Sequence, residues 1–157
     1  MLLPLFHDLQ VQSDADYQLL RFQWLNPANS VLRPALAHGR DLVVQHQPTH
    51  VLVDFTGLPP LSIQDEMWMS VHWFPRIAAQ PLRNVALVFR PEHLHNQMAT
   101  EAMFWVGRHL LGFSIQIFPE PEMGLHWLVG GDGSALERLQ AEWNAALPST
   151  SPRALSI

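Results

Sequence analysis

Three short apolar runs, separated by segments long enough to form helices, constrain the fold of this 157-residue chain more than any other feature. They are residues 51–55 (VLVDF), 84–89 (NVALVF) and 114–118 (SIQIF). The first is bounded by Pro48 and Gly57, which is typical of a strand buried on both faces of a sheet. Strands that alternate with helices in this way run parallel and are joined by right-handed crossovers.

Two more strands are predicted near the start of the chain, at residues 9–13 and 17–24, joined by a short acidic turn. In the second of them the apolar residues Leu20, Phe22 and Trp24 alternate with polar ones, as in a strand buried on one face. The chain is therefore expected to begin with an antiparallel strand pair.

Helices are predicted between the strands. The first runs from an N-cap at Ser30 to about Gln47, the second starts at Ser62, and the third spans about residues 96–111. Two more follow the last strand, and the final one starts with a capping box formed by Ser134 and the glutamate three residues later.

The order of these elements predicts an α/β fold. We expect a mostly parallel sheet of four to five strands, with an N-terminal antiparallel strand pair and stacked helices. Residues 1–147 form a single domain in this interpretation, and residues 148–157 form a disordered tail.

Composition excludes several classes of function. The net charge is −5 and no cluster of basic residues occurs, so nucleic acid and anionic membrane surfaces are not expected as partners. Cysteine is absent, which removes disulfides, thiol catalysis and thiolate metal sites. The N-terminal stretch carries Pro4, His7 and Asp8 among its apolar residues and predicts neither a signal peptide nor a membrane span. A cytoplasmic location is the expectation.

The helix that starts at Ser62 carries more apolar surface than one sheet can cover. At about 100° per residue, the face expected to contact the sheet consists of Ile63, Met67, Val71, Phe74 and Ala78. The side chains then expected to point away from the sheet are Trp68, Met69, His72 and Trp73.

Large apolar side chains outside the core stripe must be covered, and three interpretations remain open. They can pack between neighbouring helices, they can form a homodimer contact, or they can bind an apolar small molecule. Trp105 lies off the inward stripe predicted for the next helix (Ala99, Met103, Val106 and Leu110) and is a further candidate for this contact.

The element order, together with VLVDF, DEMW, Pro75 and the closing segment IQIFPEPEMGLHWL, resembles a STAS domain. The anti-sigma-factor-antagonist-like group of stand-alone bacterial proteins is the most similar branch. The resemblance covers roughly residues 9–128. It implies a small α/β sheet stacked with helices that acts through protein contact or ligand binding.

The signalling branch of that family carries a phosphorylatable serine at the start of the helix after the strand that ends in aspartate. The corresponding loop here contains Asp54, Thr56 and Ser62, which are therefore the candidate switch-loop residues. Ser62 lacks the glycine that usually follows, and Asp65 and Glu66 would repel a phosphate, so an N-cap is the preferred interpretation. For Asp54 the preferred interpretation is a carboxylate that accepts bonds from the amides just after it.

Other chemistry has little support in the sequence. His93 and His95 lie beside Glu92, but no metal-ligand spacing accompanies them, and no Gly-x-Ser-x-Gly elbow occurs. An enzyme would need a convergent polar pocket near Asp54, Glu92 and His93. We therefore expect a non-enzymatic interaction or regulatory module without cofactor or metal, whose partner is another protein or a second copy. The alternative is a carrier or sensor of a small apolar, lipid-like ligand.

Overall fold

The computed structural model describes residues 1–25 and 31–146, and its five strands form one sheet in the order β1-β2-β3-β4-β5. Strands β1 and β2 pair antiparallel, and β2 to β5 run parallel, which confirms the predicted fold class. The strands are β1 (Leu9–Asp14), β2 (Leu19–Trp24), β3 (His50–Asp54), β4 (Asn84–Val88) and β5 (Ser114–Phe118).

Helices cover both faces of this sheet. Right-handed crossovers between strands in sequential order place every connecting helix on the same face, and the C-terminal helices cover the other face. The helices are α1 (Leu32–His46), α2 (Ile63–Trp68), a π-helix (Met69–Trp73), α3 (Phe74–Ala78), α4 (Leu94–Val106), α5 (Pro121–Leu128) and α6 (Gly133–Ala146), with 3₁₀ turns at Pro91–His93 and Arg108–Leu110.

Alternation along the central strands builds two cores. Val53 and Leu87 face the larger core under α1, α3 and α4, whereas Leu52 and Ala86 face a smaller core that Leu125 of α5 completes. Both faces of β3 and β4 are therefore buried, which explains why their sequences are apolar at nearly every position.

Polar contacts attach α6 to the sheet face formed by β1 and β2. Gln12 is fully buried and donates from Nε2 to the carbonyl oxygen of Leu139 at 2.9 Å. Arg138 donates to Asp14 at 2.6 Å, and the guanidinium of Arg21 lies 4.0 Å from the centre of the Trp143 ring. These contacts place the C-terminal half of α6 over the strand that carries Arg21.

The inward face predicted for the helix after Ser62 is wrong in its first half. Ile63, Met67 and Val71 are 72%, 63% and 64% exposed, whereas Met69 and Trp73 are buried at 1% and 5%. A π-helix holds an additional residue per turn, so a stripe extrapolated at a constant 100° per residue is out of phase upstream of it. Downstream of the π-helix, the prediction that Phe74 and Ala78 are buried is confirmed.

The inward stripe predicted for α4 is half right. Ala99 and Met103 pack against the core as predicted, whereas Val106 and Leu110 are 78% and 62% exposed. The buried positions are Asn96, Thr100 and Phe104, and two of these three are polar, so a search for apolar periodicity does not find them.

The predicted start of the last helix needs a smaller correction. The amide of Ala135 is capped by the carboxylate of Asp132 at 3.1 Å, so Asp132 takes the role predicted for Ser134. The predicted N-cap Ser30 and the predicted tail, residues 148–157, lie outside the described residues. Among the residues that are described, no helix is long and apolar enough to cross a membrane.

Candidate functional site

An open apolar groove of about 580 Å³ runs between the α2–α3 segment and α4. Met67 and Val71 stand on one wall, and Val106 and Leu110 stand on the other. All four are more than 60% exposed, although the inward stripes predicted for the two helices were expected to bury them. We call this feature the α2–α4 groove. Buried or half-buried side chains also line it, namely Leu61, Met69, Phe74, Ala99, Thr100 and Met103.

The exposed apolar surface continues along both helices beyond the groove. Ile63, Met67 and Val71 are spaced i, i+4 and i+8, so they form one ridge along α2 and the π-helix. Leu94 and Met98 are 57% and 59% exposed on the stripe of α4 that leads to Val106 in the groove. Single exposed apolar residues are normal, but a contiguous set of them on neighbouring helices marks a contact surface.

Charged and polar groups border this apolar surface. At one end Glu66 lies 3.4 Å from Nε2 of His95, which also contacts the carbonyl oxygen of Leu61 at 3.0 Å. On the β5 side of α4, away from the groove, the Arg108 guanidinium lies 4.1 Å from the centre of the Trp105 ring. An apolar centre with a polar rim is the usual anatomy of a protein–protein interface.

Close packing fixes the bottom of the groove. The Phe74 ring packs edge-on against Phe104 with centroids 5.1 Å apart. Gly107 allows this position, because a Cβ atom at residue 107 would overlap the Phe74 ring. The hydroxyl of Thr100 is buried at the groove and has no hydrogen-bond partner among the described residues.

The five predicted contact residues do not share one surface. Met69 and Trp73 belong to the core, and the Trp73 indole donates to the carbonyl oxygen of Leu36 at 3.1 Å. Trp68 is half-buried against the core, with Arg33 5.9 Å from its ring. His72 and Trp105 are exposed as predicted, and Trp105 faces the β5 side of α4.

Sequence reasoning placed the contact on the same helical segment but assigned Met67, Val71, Val106 and Leu110 to the core, whereas the structure exposes all four. Apolar residues occupy opposite faces of this helical segment, so periodicity alone could not decide which face is buried. The same limit applies to α4, because an apolar stripe with a spacing of four residues predicts burial. Leu94, Met98, Ala102 and Val106 are spaced by four residues, and the structure shows all of them to be exposed.

The predicted switch-loop residues occupy two places. Ser62 accepts a bond from the amide of Asp65 at 3.1 Å, so its interpretation as the N-cap of α2 is confirmed. Asp54 accepts bonds from the amide and the hydroxyl of Thr56 at 2.9 and 2.6 Å. Burial raises the pKa of Asp54 above its ordinary value, although the bonds from Thr56 oppose this shift.

Asp54 and Thr56 also line a second concave feature, which we call the polar cleft. It has a volume of about 820 Å³ and lies where the parallel strands reach their carboxyl ends. Of the three residues named above for a possible catalytic pocket, Asp54 and Glu92 line this cleft, and His93 does not. The residues that line it include Arg21, Gln23, Asp54, Thr56, Arg90, Glu92, Glu120 and Glu122, and α6 adds Gln140, Trp143 and Asn144.

Space inside the larger core is small. The apolar cavity beneath α1 has a volume of about 30 Å³, enough for roughly one or two water molecules. Within residues 1–25 and 31–146, no three histidine, aspartate or glutamate side chains are placed to hold a metal ion.

No protein-family model, curated protein or solved structure matches this chain. The resemblance to the STAS domain therefore stays a prediction. The choice among functions rests on the geometry of the α2–α4 groove and the polar cleft.

Proposed function

We propose that this protein is a STAS-like, non-enzymatic interaction module that forms a homodimer through the α2–α4 groove and the apolar side chains around it. One observation carries the proposal: Met67, Val71, Val106 and Leu110 stand exposed along a single open groove. Covering such side chains removes apolar surface from water, which stabilises an assembly by about 25 cal/mol per Å² before the costs of association.

A second copy fits this surface because the surface carries both a ridge and a groove. The ridge of Ile63, Met67 and Val71 lies directly beside the groove, and a two-fold axis would bring the ridge of each copy to the groove of the other. Helix ridges packing into grooves are the common mode of helix association. The polar side chains of Glu66 and His95 would then lie at the rim.

A small apolar ligand is the second candidate occupant of the same groove. The buried hydroxyl of Thr100 favours it, since one polar group in an apolar site is typical of ligand pockets. Against it, ligand pockets usually bury about 70–90% of their ligand, whereas this groove is open and the core cavity holds only about 30 Å³. The homodimer is therefore the function we infer.

Sedimentation equilibrium of a groove variant over a wide concentration range tests the homodimer. Val71→Glu with Val106→Glu places two charges on positions that are 64% and 78% exposed, so the fold should persist. The matched control is Met123→Glu on α5, which is 48% exposed on the other side of the sheet. We expect dimers for the wild type and the control and monomers for the groove variant. A wild type that is monomeric at every concentration, or a groove variant that still dimerises, would refute the homodimer.

Native mass spectrometry distinguishes the second candidate. A monomer that carries an apolar adduct, lost on denaturation and absent from the groove variant, would assign the groove to a ligand. A dimer without adduct supports the homodimer.

A further inference from the structure

The polar cleft contains a buried arginine without a direct ion-pair partner among the described residues. Arg21 is 1% exposed and forms no ion pair with a carboxylate of the described residues. Its Nη1 donates to Gln140 at 3.3 Å, and its Nε has no hydrogen-bond partner among those residues. Burial lowers the pKa of Arg21 to about 10, although the charges of Asp54 and Glu122 oppose this shift. A buried guanidinium with an unused N–H donor is costly to a fold, which makes this donor a candidate for contact with a ligand.

Two further polar groups lie beside Arg21 at the base of the polar cleft, which we call its floor. The Oε1 atom of Gln23 is buried without a partner among the described residues, and Asp54 is 1% exposed on the neighbouring strand, opposite Gln23. The floor thus offers a cationic donor in Arg21, a neutral acceptor in Gln23 and a carboxylate in Asp54. Unsatisfied donors and acceptors side by side suit a ligand that carries both kinds of group.

The rim of the cleft has mostly negative charge. Glu92, Glu120 and Glu122 are exposed there, and Arg90 is the basic rim residue among those described. A simple anion would be attracted by Arg21 but repelled by the rim carboxylates. A simple cation would be attracted by the rim carboxylates but repelled by Arg21. A molecule with separated positive and negative groups satisfies both regions.

We propose that the polar cleft binds a small zwitterion of the amino-acid type. Its carboxylate accepts from the free Nε–H edge of Arg21 and replaces the long contact with Gln140. Its ammonium group lies towards Gln23 Oε1 and the rim carboxylate of Glu122. The indole of Trp143 and the prolines at 119 and 121 supply apolar contacts for a side chain. Ligands of open α/β sheets bind at this carboxyl edge.

The test measures binding to the full-length protein by isothermal titration calorimetry, with each of the twenty proteinogenic L-amino acids as a probe. For the tightest binder, two matched probes follow: the acid that lacks the amine and the amine that lacks the carboxylate. We expect one or more amino acids to bind and both matched probes to bind at least about tenfold more weakly. Binding by none of the twenty, or equal binding by the acid or the amine, would overturn the proposal.

Variants assign the two ends of the ligand. Arg21→Met should reduce affinity at least about tenfold, because it removes the donor assigned to the ligand carboxylate. If that variant does not fold, Glu122→Gln decides, since this exposed residue can change without affecting the core. It should weaken amino-acid binding, and wild-type affinity in Glu122→Gln would contradict the assigned ammonium position.

The matched control for these variants is Glu101→Gln on α4, which lies outside the cleft and should bind as the wild type does. The cleft and the α2–α4 groove share no lining residue, so the groove variant should also bind as the wild type does. Binding at the cleft is therefore tested independently of the homodimer.

Discussion

Asn96 decides, as a single residue, which face of α4 is buried. Its Oδ1 accepts from the amide of Leu61 at 2.8 Å, and its Nδ2 donates to the carbonyl oxygen of Pro59 at 3.0 Å. Both bonds hold the loop that leads into α2. In the sequence, a polar residue bonded in this way looks like a surface residue, which is why the predicted inward stripe of α4 did not include Asn96.

Replacing Asn96 should therefore destabilise the fold. Asn96→Ala leaves the buried amide of Leu61 without a partner and removes the bond to the Pro59 carbonyl. We therefore expect a loss of about 1–3 kcal/mol in the free energy of unfolding, measured with urea. The control Gln97→Ala changes the next residue, whose side chain bonds only to exposed Glu101, and should cost less than about 0.5 kcal/mol. Equal losses in the two variants would contradict the role of Asn96.

Gly107 sets the depth of the α2–α4 groove. An alanine there would overlap the Phe74 ring, so we expect Gly107→Ala to lower the free energy of unfolding by about 1–3 kcal/mol. Gly112→Ala is the matched control, since nothing lies within 4 Å of a Cβ atom at that position. Thermal unfolding measures both, and a Gly107→Ala variant as stable as the control would show that Phe74 moves freely.

At the scale of elements, the sequence predicted the order and kind of nearly all strands and helices. Short apolar runs and capping residues are local signals, so β3, β4 and β5 could be located from their own residues. The face that the segment from α2 to α3 turns to the core could not be predicted in this way. It depends on the π-helix at Met69–Trp73, where Arg40 donates to the carbonyl oxygen of His72 at 2.9 Å. No local sequence pattern predicts this contact between α1 and the π-helix.

The same limit applies to the candidate sites. The polar cleft gathers residues from β2, β3, the loops after β3, β4 and β5, α5 and α6. The side chain of Arg21 follows the alternation of a half-buried strand. The sequence therefore predicted that Arg21 lies opposite the apolar face of β2. It could not show that α6 would cover this position and bury the charge under Trp143, because that placement is a tertiary contact.

Helix α6 should detach preferentially at low pH. Bonds from the Tyr17 hydroxyl and the Ala135 amide lower the pKa of Asp132 to about 2. Burial acts to raise the pKa of Asp14, but the bonds from Arg138 and Tyr17 outweigh it and lower the pKa. Carboxyl groups with lowered pKa values stabilise the fold above their ordinary value of 3.8, and this stabilisation is lost as the pH falls through the lowered values.

Hydrogen-exchange protection factors at several pH values test this expectation. Amides of α6 should lose protection below about pH 4, before those of α1, whose contacts are mostly apolar. Asp14→Asn should lower α6 protection at neutral pH and make it depend less on pH. Parallel loss in α1 and α6, or an unchanged pH dependence in the variant, would contradict an electrostatic attachment of α6.

At the scale of the whole molecule, the two candidate sites are separate. The α2–α4 groove belongs to the face that the crossover helices cover, whereas the polar cleft lies at the carboxyl edge next to α5 and α6. A module built in this way can associate through one surface and hold a ligand at another. Whether the two events are coupled follows from measuring amino-acid affinity in the dimer and in the groove variant.

The central claim is that two copies meet at the α2–α4 groove, and a distance between copies tests it most directly. The chain contains no cysteine, so one introduced cysteine carries the only spin label in each copy. Exposed Gln64 lies on α2 outside the groove lining, and exposed Ser134 lies on α6. In double electron–electron resonance we expect a well-defined short distance between copies for Gln64→Cys and a longer one for Ser134→Cys. The reverse order, or no coupling between copies for either label, would contradict the homodimer proposed here.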